Sequence, residues 1–72
     1  PNPAVSQVTL DAGTLNMESV EILNSVGAVV YRSGEVNTTK HSADISSLAN
    51  GHYMMRAATE GGTITKQFDV LK

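Results

Sequence analysis

Apolar residues come along this chain in short bursts separated by polar and turn-forming positions. Val5 to Leu10 alternates loosely, which puts Val8 and Leu10 on one face of an extended segment. Val20 to Leu23 and Val29-Val30-Tyr31 are rich in strand formers. Between them, Asn24-Ser25-Val26-Gly27-Ala28 has the chemistry of a hairpin connection. Glycines at 13, 27, 34, 51, 61 and 62 break the chain every 7 to 17 residues, apart from the adjacent pair. Short segments between recurring turn signals predict an all-β sandwich or barrel.

Two stretches read less simply. Gly34 to Ser47 is polar, which predicts a surface crossing followed by a short strand around Ala43 to Ile45. Ile45 and Leu48 are three apart, the spacing of a single helical turn, which makes Asn50-Gly51 the exit from a corner. The competing reading takes Asn50-Gly51 as a two-residue hairpin loop. The broken alternation favours the corner. Asn16 to Ser25 fits a strand, but also a short helix capped by Asn16 with Gly27 beyond its end, and periodicity alone does not separate the two.

The last third is the clearest. Tyr53 to Thr59 and Thr63 to Leu71 flank Glu60-Gly61-Gly62, which reads as a hairpin turn. Loop length sets which faces meet, because a slip of one residue turns every side chain over. A loop at Gly61-Gly62 sets Met55 opposite Phe68 and Tyr53 opposite Val70. A loop at Glu60-Gly61 pairs Tyr53 with Phe68 and Ala57 with Ile64. A three-residue loop instead sets Met54 opposite Phe68 and exposes Tyr53. An even loop is favoured because it buries the larger rings together. Lys66 then falls on the apolar face and must snorkel to an edge or occupy a bulge.

Composition bounds what such a domain can be. The chain has 72 residues, without repeats or low-complexity tracts, and reads as a single domain over 1–72. A domain of this size buries roughly 60% of its unfolded surface. With one Phe, two Tyr and no Trp, that core must be mainly aliphatic. The absence of Cys excludes disulfides and thiolate metal sites. Five basic and seven acidic residues give a net charge of −2 and no basic stripe, which argues against a nucleic-acid partner. No apolar run approaches the ~18–20 residues of a membrane helix. Pro1-Asn2-Pro3-Ala4 carries neither an initiator Met nor a signal-peptide pattern, so the chain is expected to be a piece of something longer.

Site chemistry is sparse. His41 and His52 are eleven apart with no metal-ligand spacing, and His41 could join Asp44 on a metal only if the strand bent. No nucleophile elbow accompanies the Ser, His and Asp residues. The carboxylates are scattered, and Gly61-Gly62 lacks the Lys-Ser/Thr and helix of a phosphate loop. Asn37-Thr38-Thr39 matches a glycosylation triplet, which supports surface exposure. A small β domain also lacks room for a buried pocket of several hundred Å³. No enzyme, metal or cofactor is expected.

One ordered set of short motifs remains. Pro1-Asn2-Pro3-Ala4 opens the chain, and Val20-Glu21-Ile22-Leu23-Asn24 runs through Gly27 to Val30-Tyr31. Asp44-Ile45-Ser46-Ser47-Leu48-Ala49-Asn50-Gly51-His52-Tyr53 follows, and Gly62, Lys66 and Lys72 close it. In this order, over essentially the whole chain, the sequence resembles a type A C-terminal sorting domain of the type IX secretion system of Bacteroidetes. His52 stands where the family usually has an aliphatic residue, Met54-Met55 replace branched aliphatics, and Gln67 stands where a second basic residue is frequent.

The resemblance implies a small immunoglobulin-like antiparallel β-sandwich of six to seven short strands, which turns Asn16 to Ser25 towards strand. It also implies an address. The domain would direct an attached N-terminal cargo from the periplasm through the outer-membrane translocon. A sortase would then remove it and join the cargo to lipopolysaccharide, leaving the cargo at the cell surface or outside the cell. Its partners would be translocon and sortase components, with an edge-strand dimer as a further expectation. Gly51, Tyr53, Gly61, Gly62, Lys66, Phe68, Val70 and Lys72 are the candidates for shaping or presenting the signal. Their plainer roles are turn dihedrals for the glycines, core packing for Tyr53, and solvated charge for Lys66 and Lys72. The alternative is an adhesive or structural immunoglobulin-like module that stays on the mature surface protein.

Overall fold

Each apolar burst becomes a strand in the computed structural model, which describes residues 6–71. The Pro-Asn-Pro opening and Lys72 lie outside the described residues. The strands are β1 (Gln7–Asp11), β2 (Met17–Leu23), β3 (Val29–Thr38), β4 (Lys40–Asp44), β5 (Gly51–Thr59) and β6 (Gly62–Val70). They form two antiparallel sheets, β1-β4 and β3-β2-β5-β6, and no helix is present among the described residues. The core lies between the sheets. Val8, Leu10 and Ala43 from the small sheet meet Val20, Ile22, Tyr53, Met55, Ala57, Phe68 and Val70 from the large one. As expected, Val8 and Leu10 share the buried face of β1.

The Asn16 to Ser25 segment is a strand because both its backbone edges find partners. β2 pairs with β3 on one side and β5 on the other, while Val20 and Ile22 point into the core. A helix here would leave β3 and β5 each with an open edge. The Asn24–Ala28 turn is organised by Asn24, whose backbone N–H donates to the Ala28 carbonyl at 2.9 Å. Its side-chain Oδ1 accepts from the N–H groups of Val26 and Ala28 at 3.1 and 3.0 Å.

The polar stretch from Gly34 to Ser47 departs from expectation. It is mostly strand: β3 continues to Thr38 and β4 starts at Lys40, so the crossing shrinks to Thr39. β3 is an edge strand with no fully buried residue, so no run of strong hydrophobes marks it. At its end Asn37 adopts a left-handed φ of 48°, and the Thr38 hydroxyl donates to the Lys40 carbonyl at 2.9 Å. Together these carry the chain from one sheet to the other. On that side the Tyr31 hydroxyl and His41 Nε2 join β3 to β4 at 2.9 Å.

The corner after β4 forms as expected. Leu48 N–H donates to the Ile45 carbonyl at 3.0 Å, and Ser46 N–H to Asp44 Oδ1 at 2.9 Å. Strands β4 and β5 belong to different sheets, so Asn50-Gly51 exits a corner and is not a hairpin loop.

Candidate functional site: the terminal hairpin

Strands β5 and β6 form the most regular ladder in the molecule. Its register is unbroken from Gly51↔Val70 to Thr59↔Gly62, with Tyr53 opposite Phe68 and Ala57 opposite Ile64. Of the even loops considered, the structure selects Glu60-Gly61. Two features fix that turn. Gly62 has φ 120°, a conformation that side chains with a Cβ rarely adopt. The Thr59 hydroxyl also bridges the turn, accepting from Gly61 N–H at 3.1 Å and donating to the Gly62 carbonyl. At Gly61 the constraint is space, since a Cβ there would stand 3.2 Å from Leu15 Cδ2.

Seven of the eight candidate residues lie on this hairpin, and Lys72 lies outside the described residues. The Tyr53 and Phe68 rings stack with centroids 5.8 Å apart and planes inclined by 22°. Phe68 and Val70 are fully buried, so they act as core rather than as displayed side chains. The Tyr53 hydroxyl donates to the Ala49 carbonyl at 2.7 Å, tying the start of β5 to the corner before it. Immunoglobulin-like sandwiches use a tyrosine this way at the entry of one strand. A Cβ at Gly51 would lie 3.8 Å from the Tyr53 ring, an ordinary contact, so what favours glycine there is the backbone, at φ 159°, and not space.

Lys66 faces inward opposite Met55, yet its ammonium is not stranded. It snorkels to the rim, where Nζ donates to the Thr9 carbonyl at 2.9 Å. Ser6 and Ala12 bond towards β4, through Ile45 N–H and the Thr39 carbonyl respectively. Strand alternation therefore points the Thr9 carbonyl away from β4, along the outer edge of β1. Lys66 is thus the clasp across the β1/β6 seam, as Tyr31–His41 is across the β3/β4 side.

Sequence reasoning missed the outer face of the large sheet. His52 Nδ1 and Asp69 Oδ1 are 2.6 Å apart across the hairpin, a pair that follows directly once the Glu60-Gly61 loop is chosen. Further along, Arg56 bonds Glu21 at 2.7 Å and Arg32 lies 3.4 Å from its other oxygen. The Arg56 hydrogen bond, reinforced by the charges of Arg56 and Arg32, holds the Glu21 carboxyl below its ordinary value despite some opposing desolvation. Residues 21, 32 and 56 are cross-strand neighbours, but only a register through three strands reveals it.

His41 faces Tyr31, and Asp44 lies three positions along β4 on the opposite face, so the two do not converge on a metal. No group of three ligating side chains gathers among the described residues. Two open surface grooves of about 420 and 410 Å³ are lined by Glu18, Ser19, Glu35 and Asn37, and by Val29 to Arg32.

A two-sheet β domain with a regular terminal hairpin fits a protein that is itself recognised. The profile of the secretion system C-terminal sorting domain matches residues 1–70. The chain belongs to this family. No curated protein and no solved structure matches it. As a type IX sorting domain it acts as a C-terminal secretion signal for an attached N-terminal cargo. That route leads through the secretion machinery to the cell surface or the extracellular space.

Proposed function

We propose that residues 1–72 are one sorting domain of a larger secreted protein, and that the β5–β6 hairpin is the part read by the type IX translocon. The cargo reaches the periplasm first and then passes the outer membrane with this domain as its address. A sortase next removes the domain and joins the cargo to lipopolysaccharide. The domain performs no catalysis. The observation that carries this reading is the position of β6. Among the described residues it is the last strand and lies at the end of the large sheet, paired with β5 on one edge and with no described strand on the other. A receptor can add a strand there, gaining main-chain hydrogen bonds along a regular template. A second copy of the chain can use the same edge at high concentration.

The candidate residues then have distinct parts. Gly61 and Gly62 permit the tight turn that returns β6, and Tyr53 with Phe68 and Val70 anchors β6 by its inner face. Gly51 lets β5 leave the corner, while Lys66 and Lys72 supply the charge near the end of the signal.

Deleting Phe68 to Lys72 tests the reading. This removes the inner anchor of β6, and the attached cargo is expected to accumulate in the periplasm on cell fractionation. Normal surface display of the truncated protein overturns it. The intact mass of the exported wild-type protein decides between this reading and a retained adhesive module. Loss of the domain supports sorting and cleavage, whereas a surface protein still carrying all of it supports the module.

A further inference from the structure

We infer that Met54 is an oxidation site: a peroxide converts its thioether to the sulfoxide in the folded domain, while Met17 and Met55 stay closed to the same reagent. The chain has three methionines and no Cys, so its sulfur chemistry is confined to these side chains. Met17 and Met55 are 0% exposed and belong to the core. Met54 is the neighbour of Met55, and strand alternation sends it to the other face of β5. It is partly exposed there and lies outside the core. The register sets Leu23 of β2 on one side of it and Gln67 of β6 on the other. Leu23, although buried, is likewise outside the core, and its partner on β3 is the exposed Val29. Met54 thus closes a short apolar row, Val29–Leu23–Met54, on the outer face of the large sheet, with Gln67 next in line.

The reaction is an oxygen transfer that balances between the two reactants. The Met54 sulfur lone pair attacks one oxygen of hydrogen peroxide, a sulfur–oxygen bond forms and the O–O bond breaks. The proton of the attacked oxygen passes to the departing hydroxide, which leaves as water. Sulfur is oxidised by two electrons and the peroxide is reduced by two. The product is a polar side chain with an acceptor oxygen, which disrupts an apolar core. Position 54 differs from positions 17 and 55 in what surrounds that oxygen. Across the hairpin stands Gln67, exposed, with an amide that can donate to it at cross-strand distance. The outer face therefore takes the product without unfolding, and the apolar row loses its last member. Sulfoxide reductases reverse the step, so the change is a switch in the polarity of this face.

The inference does not depend on export, so purified chain and hydrogen peroxide decide it, with peptide mapping by mass spectrometry as the readout. Met54 is expected to gain one oxygen at least about tenfold faster than Met17 or Met55, which the reagent reaches only when the structure opens. In urea beyond the unfolding transition the three rates should converge. The singly oxidised chain should keep the wild-type circular dichroism spectrum. The two reductases, one for each sulfoxide epimer, should restore its mass. Met54→Leu should abolish the fast oxidation and leave the slow ones in place. Gln67→Leu removes the cross-strand donor, so oxidation should lower the urea midpoint of that variant further than it lowers the wild type's. Gln67→Glu keeps the shape without an N–H, and serves if the Leu variant does not fold. Met17 or Met55 oxidising as fast as Met54 in the folded chain overturns the inference. So does a Met54 that stays intact until the chain unfolds, or a singly oxidised chain that has lost its fold. An equal loss of midpoint with and without the Gln67 amide overturns the part assigned to Gln67.

Discussion

Tyr53 offers the sharpest separation of ring from hydroxyl. The residue is 7% exposed, its ring stacks on Phe68, and its hydroxyl reaches the Ala49 carbonyl at 2.7 Å. Tyr53→Phe removes only the second contact. Ala49 is exposed, so water can take over its carbonyl, and the loss should be about 0.5–1.5 kcal/mol with no orphaned acceptor. Tyr53→Ala removes the ring as well and should cost about 3–5 kcal/mol. At typical stabilities per residue, a chain of 72 residues holds about 4–11 kcal/mol in total. The Ala variant therefore loses a large share of the fold, and the Phe variant does not. In urea, with a slope of about 1 kcal/mol per molar for a domain this small, Tyr53→Phe should lower the midpoint by about 1 M. Far-ultraviolet circular dichroism follows the transition. Export measured in parallel should survive Tyr53→Phe and fail with Tyr53→Ala, because the hairpin is kept in the first and lost in the second. An unchanged midpoint for Tyr53→Phe, together with a loss under about 1 kcal/mol for Tyr53→Ala, would refute both the corner bond and the stacked pair as structural ties.

Two further outcomes follow from the large sheet and its turn. Gly62→Ala places a Cβ on a residue with φ 120° and should destabilise the chain by about 1–3 kcal/mol in the same urea titration, whereas a neutral result would contradict the turn geometry. Glu21 has a folded value below its ordinary 4.5, so its contribution is present above that value and is lost as the pH falls through the lowered one. Wild-type chain should therefore be more stable than Glu21→Gln near neutrality and converge with it in acid. A gap that persists at low pH would mean the carboxylate is not what the two arginines stabilise.

How far the sequence predicted these features depended on where strong hydrophobes fell. Val8 with Leu10, the Asn24–Ala28 turn and the terminal hairpin were legible because buried alternation and turn residues coincide there. The hairpin register was legible only as a choice of even loops, and the structure selected the one that stacks Tyr53 on Phe68. The length of β3 was not legible. An edge strand half-covered on one side carries Ser33, Gly34, Glu35 and Asn37 without penalty, so its sequence looks like a crossing. The Arg56–Glu21–Arg32 row was hidden for another reason, since it joins residues from three strands whose pairing no local pattern encodes. Within the site, Lys66 was legible as a misfit on an apolar face. That its acceptor is a carbonyl of the opposite sheet, 57 residues away in the chain, was not.

The two end strands of the large sheet differ in what they would offer an incoming strand. At β3 the defence is geometric: bulged pairing, a left-handed Asn37, and the Val20 N–H diverted to the Ser33 hydroxyl at 2.8 Å. Such an edge is poor for any incoming strand, whatever its sequence. At β6 the ladder is regular and its midpoint carries one charge, Lys66. A charge discriminates where a bulge cannot. It opposes a strand that brings a second cation to the same point, and it leaves the backbone template intact for a strand that brings a carboxylate or a neutral side chain there. The distinction has a direct consequence for recognition. If the translocon adds a strand at β6, the residue it sets opposite Lys66 is expected to be acidic or neutral, and Lys66→Glu should impair export while the chain remains folded. Export unaffected by that charge reversal, in a chain whose urea transition is unchanged, would show that the machinery does not read this edge of the hairpin.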